Sequence, residues 1–302
     1  MMVEERVFRY LDDITAANGR FDFSFGLVSD TNPRAATSSK TIQLLGQTYS
    51  YNPGFDISKK TGISYSFIGE KSLGEGKRYA LGFVINGAKF QDVAFDRTSV
   101  EESVSYRLRD FPRLLIRGAS EQYFLAGKYL YNLPSISLKH ARELPGEAYW
   151  NNEVKVGQIT YKDYDYLDGR VYAFSTGFGR PIAENFIMGA ELGIDKMSAK
   201  EAPYSYSTKT ISLFVNAYVP DLFLKYQVRA SLSRRDFESE DPFFFAVRSD
   251  QKNGIYLNVV KADWKCYGMA PVLDIGYEKN SSSIELYSFK RVISTLSFKK
   301  TY

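Results

Sequence analysis

From Arg20 to the last residue, apolar and polar side chains alternate with a period of two, in segments longer than most soluble strands. The stretch Leu222–Asp236, "LFLKYQVRASLSRRD", sets Leu224, Tyr226, Val228, Ala230 and Leu232 on one face and Lys225, Gln227, Arg229, Ser231 and Ser233 on the other. "RFDFSFGLVS", "TGISYSFIGEK", "KRYALGFVING" and "SVEESVSYRLRD" repeat the pattern, and "ENFIMGAELGID", "TISLFVNAYV" and "GIYLNVVK" follow it further on. Counted this way the chain holds about fourteen strand candidates, many near the 9–11 residues that cross a bilayer at a tilt. Soluble strands usually stop at about five or six residues.

The same local pattern suits a soluble sandwich, whose apolar face meets a second sheet, and a transmembrane barrel, whose apolar face meets acyl chains. The connections separate the two. Short polar links at "SLGEGK", Asp110–Pro112, "ELPGE", "GRPIAE", Pro220–Asp221 and "KADWK" alternate with longer ones. The longer ones are Asp30–Lys60, "QDVAFDRT", "EQYFLAGKYLYN", "YKDYDYLD", "KMSAKEAPYS", "DFESEDPFFFA" and a brief "NSSS". Short turns on one rim and long loops on the other describe an outer-membrane meander. Greek-key sandwiches have no reason for such regularity. The 23 Tyr and 22 Phe, against 2 Trp, suit girdles at two membrane interfaces. No run approaches the roughly 18 apolar residues of a spanning helix, so any crossing of a bilayer falls to strands. The expected fold is therefore all-β: a transmembrane antiparallel up-and-down barrel of about 14 strands over residues 20–302.

Residues 1–19 differ. Val3, Val7, Leu11 and Ile14 recur at helical spacing and Asn18-Gly19 supplies a stop. Early acids and the lack of a continuous apolar stretch do not read as a secretory signal. A short helix, the remnant of an upstream periplasmic repeat domain, is the expectation. At the other end, "RVISTLSFKKTY" closes on an aromatic residue. Phe298 and Tyr302 resemble the signal by which the barrel-assembly machinery recognises its clients.

Chemistry-bearing motifs are sparse. Cys266 stands alone, which excludes an intrachain disulfide and argues against a thiolate-held metal. The +4 net charge is spread along the chain and marks no nucleic-acid footprint. His140 is the single histidine, and Ser137 falls on the opposite strand face, so a Ser–His pair for acyl transfer does not assemble. The acids of "DYDYLDG" and "GIDKMSAKE" match no calcium loop, and "LGEGK" lacks the spacing of a phosphate loop. No catalytic, cofactor or metal site is expected. By parity, Arg107, Arg109, Glu191, Lys225, Arg229 and Asp274 face the lumen. Arg234, Arg235, Asp236, Arg248 and Asp250 form a candidate charge network at the rim of one hairpin. A barrel this wide is not filled by side chains alone, and the link Asp30–Lys60 is long enough to fold inward.

The last third of the chain carries a specific likeness. Arg234-Arg235-Asp236, Arg248-Ser249-Asp250, the Pro271 strand, and Asn280-Ser281-Ser282 leading to Leu286-Tyr287 and Arg291 resemble the C-terminal barrel of the surface lipoprotein assembly modifier family. "YKDYDYLDGR" and, more weakly, "SDTNPRAAT" add to it. The resemblance implies a fourteen-stranded barrel of the bacterial outer membrane. It also implies delivery of surface lipoproteins, in some cases soluble haem-binding proteins, to the cell surface, after capture by a periplasmic repeat domain. Expected partners are those clients, outer-membrane lipids and, during biogenesis, the barrel-assembly machinery. A general or substrate-selective porin is the alternative, since fold alone does not choose between them.

Overall fold

The computed structural model describes residues 19–37, 39, 41–44, 47–50, 58–74, 78–109, 111 and 113–301. Among the described residues, sixteen strands follow one another. They are β1 (Arg20–Asp30), β2 (Thr41–Leu44), β3 (Gln47–Ser50), β4 (Lys60–Leu73), β5 (Tyr79–Phe90), β6 (Arg97–Arg107), β7 (Leu114–Leu125) and β8 (Lys128–Leu144). Then come β9 (Ala148–Tyr161), β10 (Gly169–Ala183), β11 (Phe186–Ala199), β12 (Tyr206–Val219), β13 (Leu224–Glu240), β14 (Val247–Lys261), β15 (Ala270–Ser282) and β16 (Phe289–Thr301). β2 and β3 pair only with each other, in the first link. The other fourteen close into a barrel in which each strand lies antiparallel beside its sequence neighbours, and β1 meets β16. The expected N-terminal helix lies outside the described residues.

Strand length explains the closure. The barrel strands run from 11 to 17 residues. At about 3.3 Å per residue, even the shortest is about 36 Å long, enough at a tilt near 40° to cross the roughly 25 Å apolar band of an outer-membrane barrel. In that layer every backbone N–H and C=O needs a partner, and only a sheet without edges supplies one.

Side-chain placement is inside-out relative to a soluble protein. Leu27, Ile63, Ile136, Leu213 and Ile255 are each more than half exposed on the outer wall. Many buried positions are polar, among them Asp22, Asp30, Ser137, Thr208, Ser212, Asp250 and Ser297. Such an apolar surface belongs against hydrocarbon. The stretch "LFLKYQVRASLSRRD" forms most of β13, with Val228 and Leu232 outside and Arg229 and Ser231 inside.

The links depart from the alternation expected of them. "EQYFLAGKYLYN" is strand, not loop: β7 and β8 turn on Ala126 and Gly127 alone, both with positive φ (53° and 73°), as a two-residue primed hairpin requires. Tyr123 and Tyr131 face inward and stack at 5.3 Å, so both faces of this hairpin are aromatic and the period-two signal is blurred. "KADWK" extends to the longer link 262–269, beside which the opposite rim's 91–96 and 283–288 are no longer. Only the first link, 31–59, is long. Of its described part, Asn32 and Thr37 are buried, Gln47–Ser50 is exposed throughout, and Ser39 donates to Glu285 (2.7 Å).

Four links on the rim opposite the chain ends share one design. Each makes a three-residue 3-10 turn, after which an Asp or Ser accepts a hydrogen bond from the backbone N–H at the end of the preceding strand. The pairs are Phe90 to Asp96 (2.8 Å), Tyr161 to Asp168 (2.7 Å), Ala199 to Ser205 (2.9 Å) and Ser282 to Ser288 (2.9 Å). The short side chain ends the ladder by mimicking a backbone carbonyl.

The outer wall makes a direct prediction. Leu213→Arg, at mid-strand in β12, lowers unfolding free energy in lipid vesicles by about 2–4 kcal/mol. The inward Gln227→Lys stays within about 0.5 kcal/mol. Denaturant titration of the two variants measures the contrast.

Candidate functional site

The lumen wall is built from the inward half of each strand, and its chemistry is paired charge. Arg229 of β13 reaches across β12 to Glu191 of β11, with Nη2 3.2 Å from Oε1 and a second, shorter contact from Nη1. Arg117 pairs with Glu101 and also donates to Ser103 (3.1 Å). Lys139 meets Glu153 at 3.4 Å. Asp274 accepts from Asn258 at 2.6 Å, and Glu278 accepts from the Tyr256 hydroxyl at 2.7 Å. These pairs are half-exposed, so each contributes about 0.2–1 kcal/mol. Their joint effect is a wet wall with little unbalanced charge.

The structure brings part of the sequence-derived lumen set together. Arg229 and Asp274 line one cavity of about 450 Å³ with Gln227, Tyr256, Asn258 and Thr295, and Glu191 joins it through Arg229. Arg107 and Lys225 lie apart, at the rim that carries both chain ends. Arg107 is the last residue of β6, its N–H donating to the Arg78 carbonyl (2.8 Å). Lys225, near the start of β13, sits 6.0 Å from the Tyr218 ring. Arg109 is not on a strand: β6 has ended, and the residue is exposed in the following bend.

The rim group divides across the wall. Arg235, Arg248 and Asp250 face inward, whereas Arg234 and Asp236 fall on the outer parity. Arg248 holds Asp250 through Nε (3.0 Å) and Nη2 (2.7 Å), and its guanidinium lies 3.5 Å from the Tyr287 ring centre and 4.7 Å from that of Phe237. Arg235 covers Tyr206 at 4.1 Å and donates to Thr208. Outside, Arg234 pairs with Asp236 (3.0 Å), which also accepts from Ser249 (2.7 Å). Burial and the hydrogen bond to Asp241 push the Tyr287 phenol up to about 12, keeping it neutral beneath Arg248. Stacked cations of this kind are worth about 0.5–2 kcal/mol and stiffen the mouth. Phe298 faces outward with its ring 6.5 Å from Phe25; Tyr302 lies outside the described residues. His140 faces outward, edge-on to Trp150 at 5.9 Å, while Ser137 is buried on the inner face.

Two carboxylates that periodicity did not single out are the most buried large side chains described. Asp22 and Asp30, 2% and 0% exposed, stand at opposite ends of β1 and face inward. Asp22 is held by Arg20 and by Lys299 of β16 (3.3 Å). Asp30 is held by Arg291 of β16, whose Nε lies 2.9 and 3.1 Å from its oxygens, by Arg97 (3.4 Å), and by the Asn32 backbone N–H (3.0 Å). Their signal is legible only to a reader who knows that β1 and β16 are neighbours.

A family model for the surface lipoprotein assembly modifier matches residues 20–302. No curated protein matches the chain by sequence. Among solved structures, the anion-selective porin of Comamonas acidovorans is similar at 8% identity and a TM-score of 0.50, over 94% of this chain and 99% of that one. OccK1 of Pseudomonas aeruginosa (8%, TM-score 0.49, 94% and 99%) and a loop-deleted OmpT of Vibrio cholerae (8%, 0.49, 94% and 99%) also match. At such identities the likeness is one of fold.

Removing a buried carboxylate strands its cations. Asp30→Ala costs about 3–5 kcal/mol, because Arg291 and Arg97 are left without their counter-charge. Asp274→Ala, losing one amide hydrogen bond, costs about 1 kcal/mol. The temperature at which each variant loses compact migration in detergent gels orders the two.

Proposed function

Because the chain belongs to the surface lipoprotein assembly modifier family, we propose that this outer-membrane barrel is the translocon that passes surface lipoproteins, or secreted haem-binding proteins, across the outer membrane. The observation that carries the reading is the extent of the family match, which spans the barrel from its first strand to its last. In this reading the rim holding both chain ends faces the periplasm, and the capped links face outside.

The lumen geometry supports passage of an extended polypeptide. Such a cargo presents backbone dipoles and side chains of both signs, so it needs a wall that holds nothing for long. Paired Arg–Glu and Lys–Glu groups offer weak, exchangeable partners, each worth at most about 1 kcal/mol. Inward Tyr123, Tyr131 and Tyr161, with ring centres 5.3 and 5.5 Å apart, add apolar faces with polar tips. Transit needs no covalent step at this wall. Outer-membrane lipids and, during biogenesis, the barrel-assembly machinery complete the proposed partners, with Phe298 and Tyr302 as the assembly signal. A porin role rests on fold alone.

The test is genetic and direct. In a strain lacking this protein, lipoproteins normally accessible to external protease become protected, and wild-type protein restores accessibility. Unchanged surface display in the deletion strain overturns the proposal, and rapid small-solute flux through the purified barrel in vesicles would then favour the porin.

A further inference from the structure

On the outer wall, five consecutive strands switch from apolar to polar in step. Toward the capped rim, the outward residues pass from Ile211 to Lys209 on β12, from Leu232 to Arg234 on β13 and from Ile255 to Asn253 on β14. They pass from Tyr277 to Lys279 on β15 and from Val292 to Lys290 on β16. The last apolar residue of each column is 38% to 58% exposed, so the wall is fit for hydrocarbon up to this line. Beyond it begins a layer fit for lipid headgroups.

Two of these steps set cations against each other. Lys279 stands directly opposite Lys290 in the β15–β16 ladder, and Lys209 directly opposite Arg234 between β12 and β13. Among the described residues these are the two cation–cation pairs in register, and both lie outward at the same end of the barrel. Like charges placed so, with Cβ atoms about 4.5–5.5 Å apart, destabilise a sheet. Inside the barrel cations are set against acids instead, as Arg229 against Glu191 and Lys139 against Glu153. Outside, Lys209, Lys279 and Lys290 are exposed and make no ion pair among the described residues. Asp236 offsets Arg234 at 3.0 Å, and Glu238 takes Lys196 at 2.8 Å. Nothing comparable stands beside Lys279 and Lys290: their outward neighbours are Tyr277, Ser281, Val292 and, across the ladder from Lys279, Asn253. A row that repels itself at the edge of the hydrocarbon is stabilised by an anion supplied from the membrane.

We infer that this patch, centred on Lys279 and Lys290 and extended by Lys209 and Arg234, binds the phosphorylated saccharide headgroup of a glycolipid in the outer leaflet. The lipid's acyl chains lie below, against Ile255, Tyr277 and Val292. Spacing selects the headgroup. The two cation pairs flank β14, with Arg234 and Lys279 two strand spacings, about 10 Å, apart. A headgroup with one phosphate reaches one pair, whereas a saccharide carrying a phosphate at each end reaches both. Between the pairs, the outward Gln251 and Asn253 offer amides to sugar hydroxyls. The inference goes beyond the translocon reading and shares only its orientation, with the capped rim outside; a barrel without a client would hold the lipid equally well.

The full chain, purified in neutral detergent and stripped of lipid, is titrated with diphosphoryl lipid A, monophosphoryl lipid A and phosphatidylglycerol, and bound lipid is counted by native mass spectrometry. The expected result is at least fivefold tighter binding of the diphosphoryl form than of the other two. Lys279→Gln with Lys290→Gln lowers that affinity at least fivefold. Lys71→Gln with Arg142→Gln, exposed outward cations near the opposite rim, leaves it within twofold. Thermal unfolding supplies a reading of opposite sign. Without lipid the Lys279/Lys290 variant unfolds at a higher temperature than wild type, because the repulsion is gone, and with diphosphoryl lipid A it unfolds at a lower one. A smaller preference, a smaller loss in the Lys279/Lys290 variant, or an equal loss in the control variant overturns the inference. Displacement of the lipid by millimolar inorganic phosphate marks a plain anion site and overturns it too. Orientation is read separately, from Glu285→Cys in a Cys266→Ser background labelled by an impermeant thiol reagent. Labelling of intact cells is expected; labelling only after permeabilisation puts the patch in the inner leaflet and overturns the outer-leaflet assignment, whatever the fate of the client reading.

Discussion

The structure depends on the pairing of its first and last barrel strands. Inside hydrocarbon an unpaired strand edge is not tolerated, so thirteen hairpin-like junctions between sequence neighbours would be worthless without the fourteenth, which joins β1 to β16. That junction is also the one whose partners are farthest apart in the chain. It closes a loop of nearly the whole sequence, with the attendant entropy cost and slow formation. Asp22 and Asp30 fit this role. Each is buried on β1 and each finds its cation on β16, so the charges favour the correct closure and its register together. A one-residue slip would turn both acids toward the lipid.

The all-β class, the barrel and its strand number were legible because period two persists wherever one face meets lipid and the other water. The pattern failed where that contrast failed. At Tyr123, Phe124 and Leu125 both faces carry apolar rings or chains, and the hairpin looked like a loop. At Arg234-Arg235-Asp236 three charges in a row suggested a single cluster, but consecutive strand residues point to opposite faces, and the wall separates Arg235 from its neighbours. Arg109 had the right parity and the wrong position, since β6 stops at Arg107. The regular alternation of link lengths was weaker than the sequence suggested, yet strand length alone still required the same architecture. The cross-strand role of Asp22 and Asp30 could not be found locally, because Lys299 and Arg291, which tie them to β16, lie more than 250 residues away.

The inner wall combines paired charges with buried apolar packing. Around the cavity of Arg229 and Asp274, each charge has an opposite charge or an amide within hydrogen-bonding reach. Around Val28, Phe90 and Phe95 the wall is greasy, and the cations Arg34 and Lys60 lie 5.2 Å from the Phe95 ring.

The repeated ending of the outer links has an evolutionary corollary. In each, the strand is terminated by one short polar side chain six or seven positions further on, from Phe90–Asp96 to Ser282–Ser288, and the residues between contribute little to that fastening. In the proposed orientation, substitutions at exposed tip residues such as Val93 and Tyr164 can therefore accumulate at the cell surface without disturbing strand alignment below, whereas Phe95 and Tyr287 are held by their packing. A bacterium under immune pressure could vary the epitopes it displays while inheriting the same conduit unchanged.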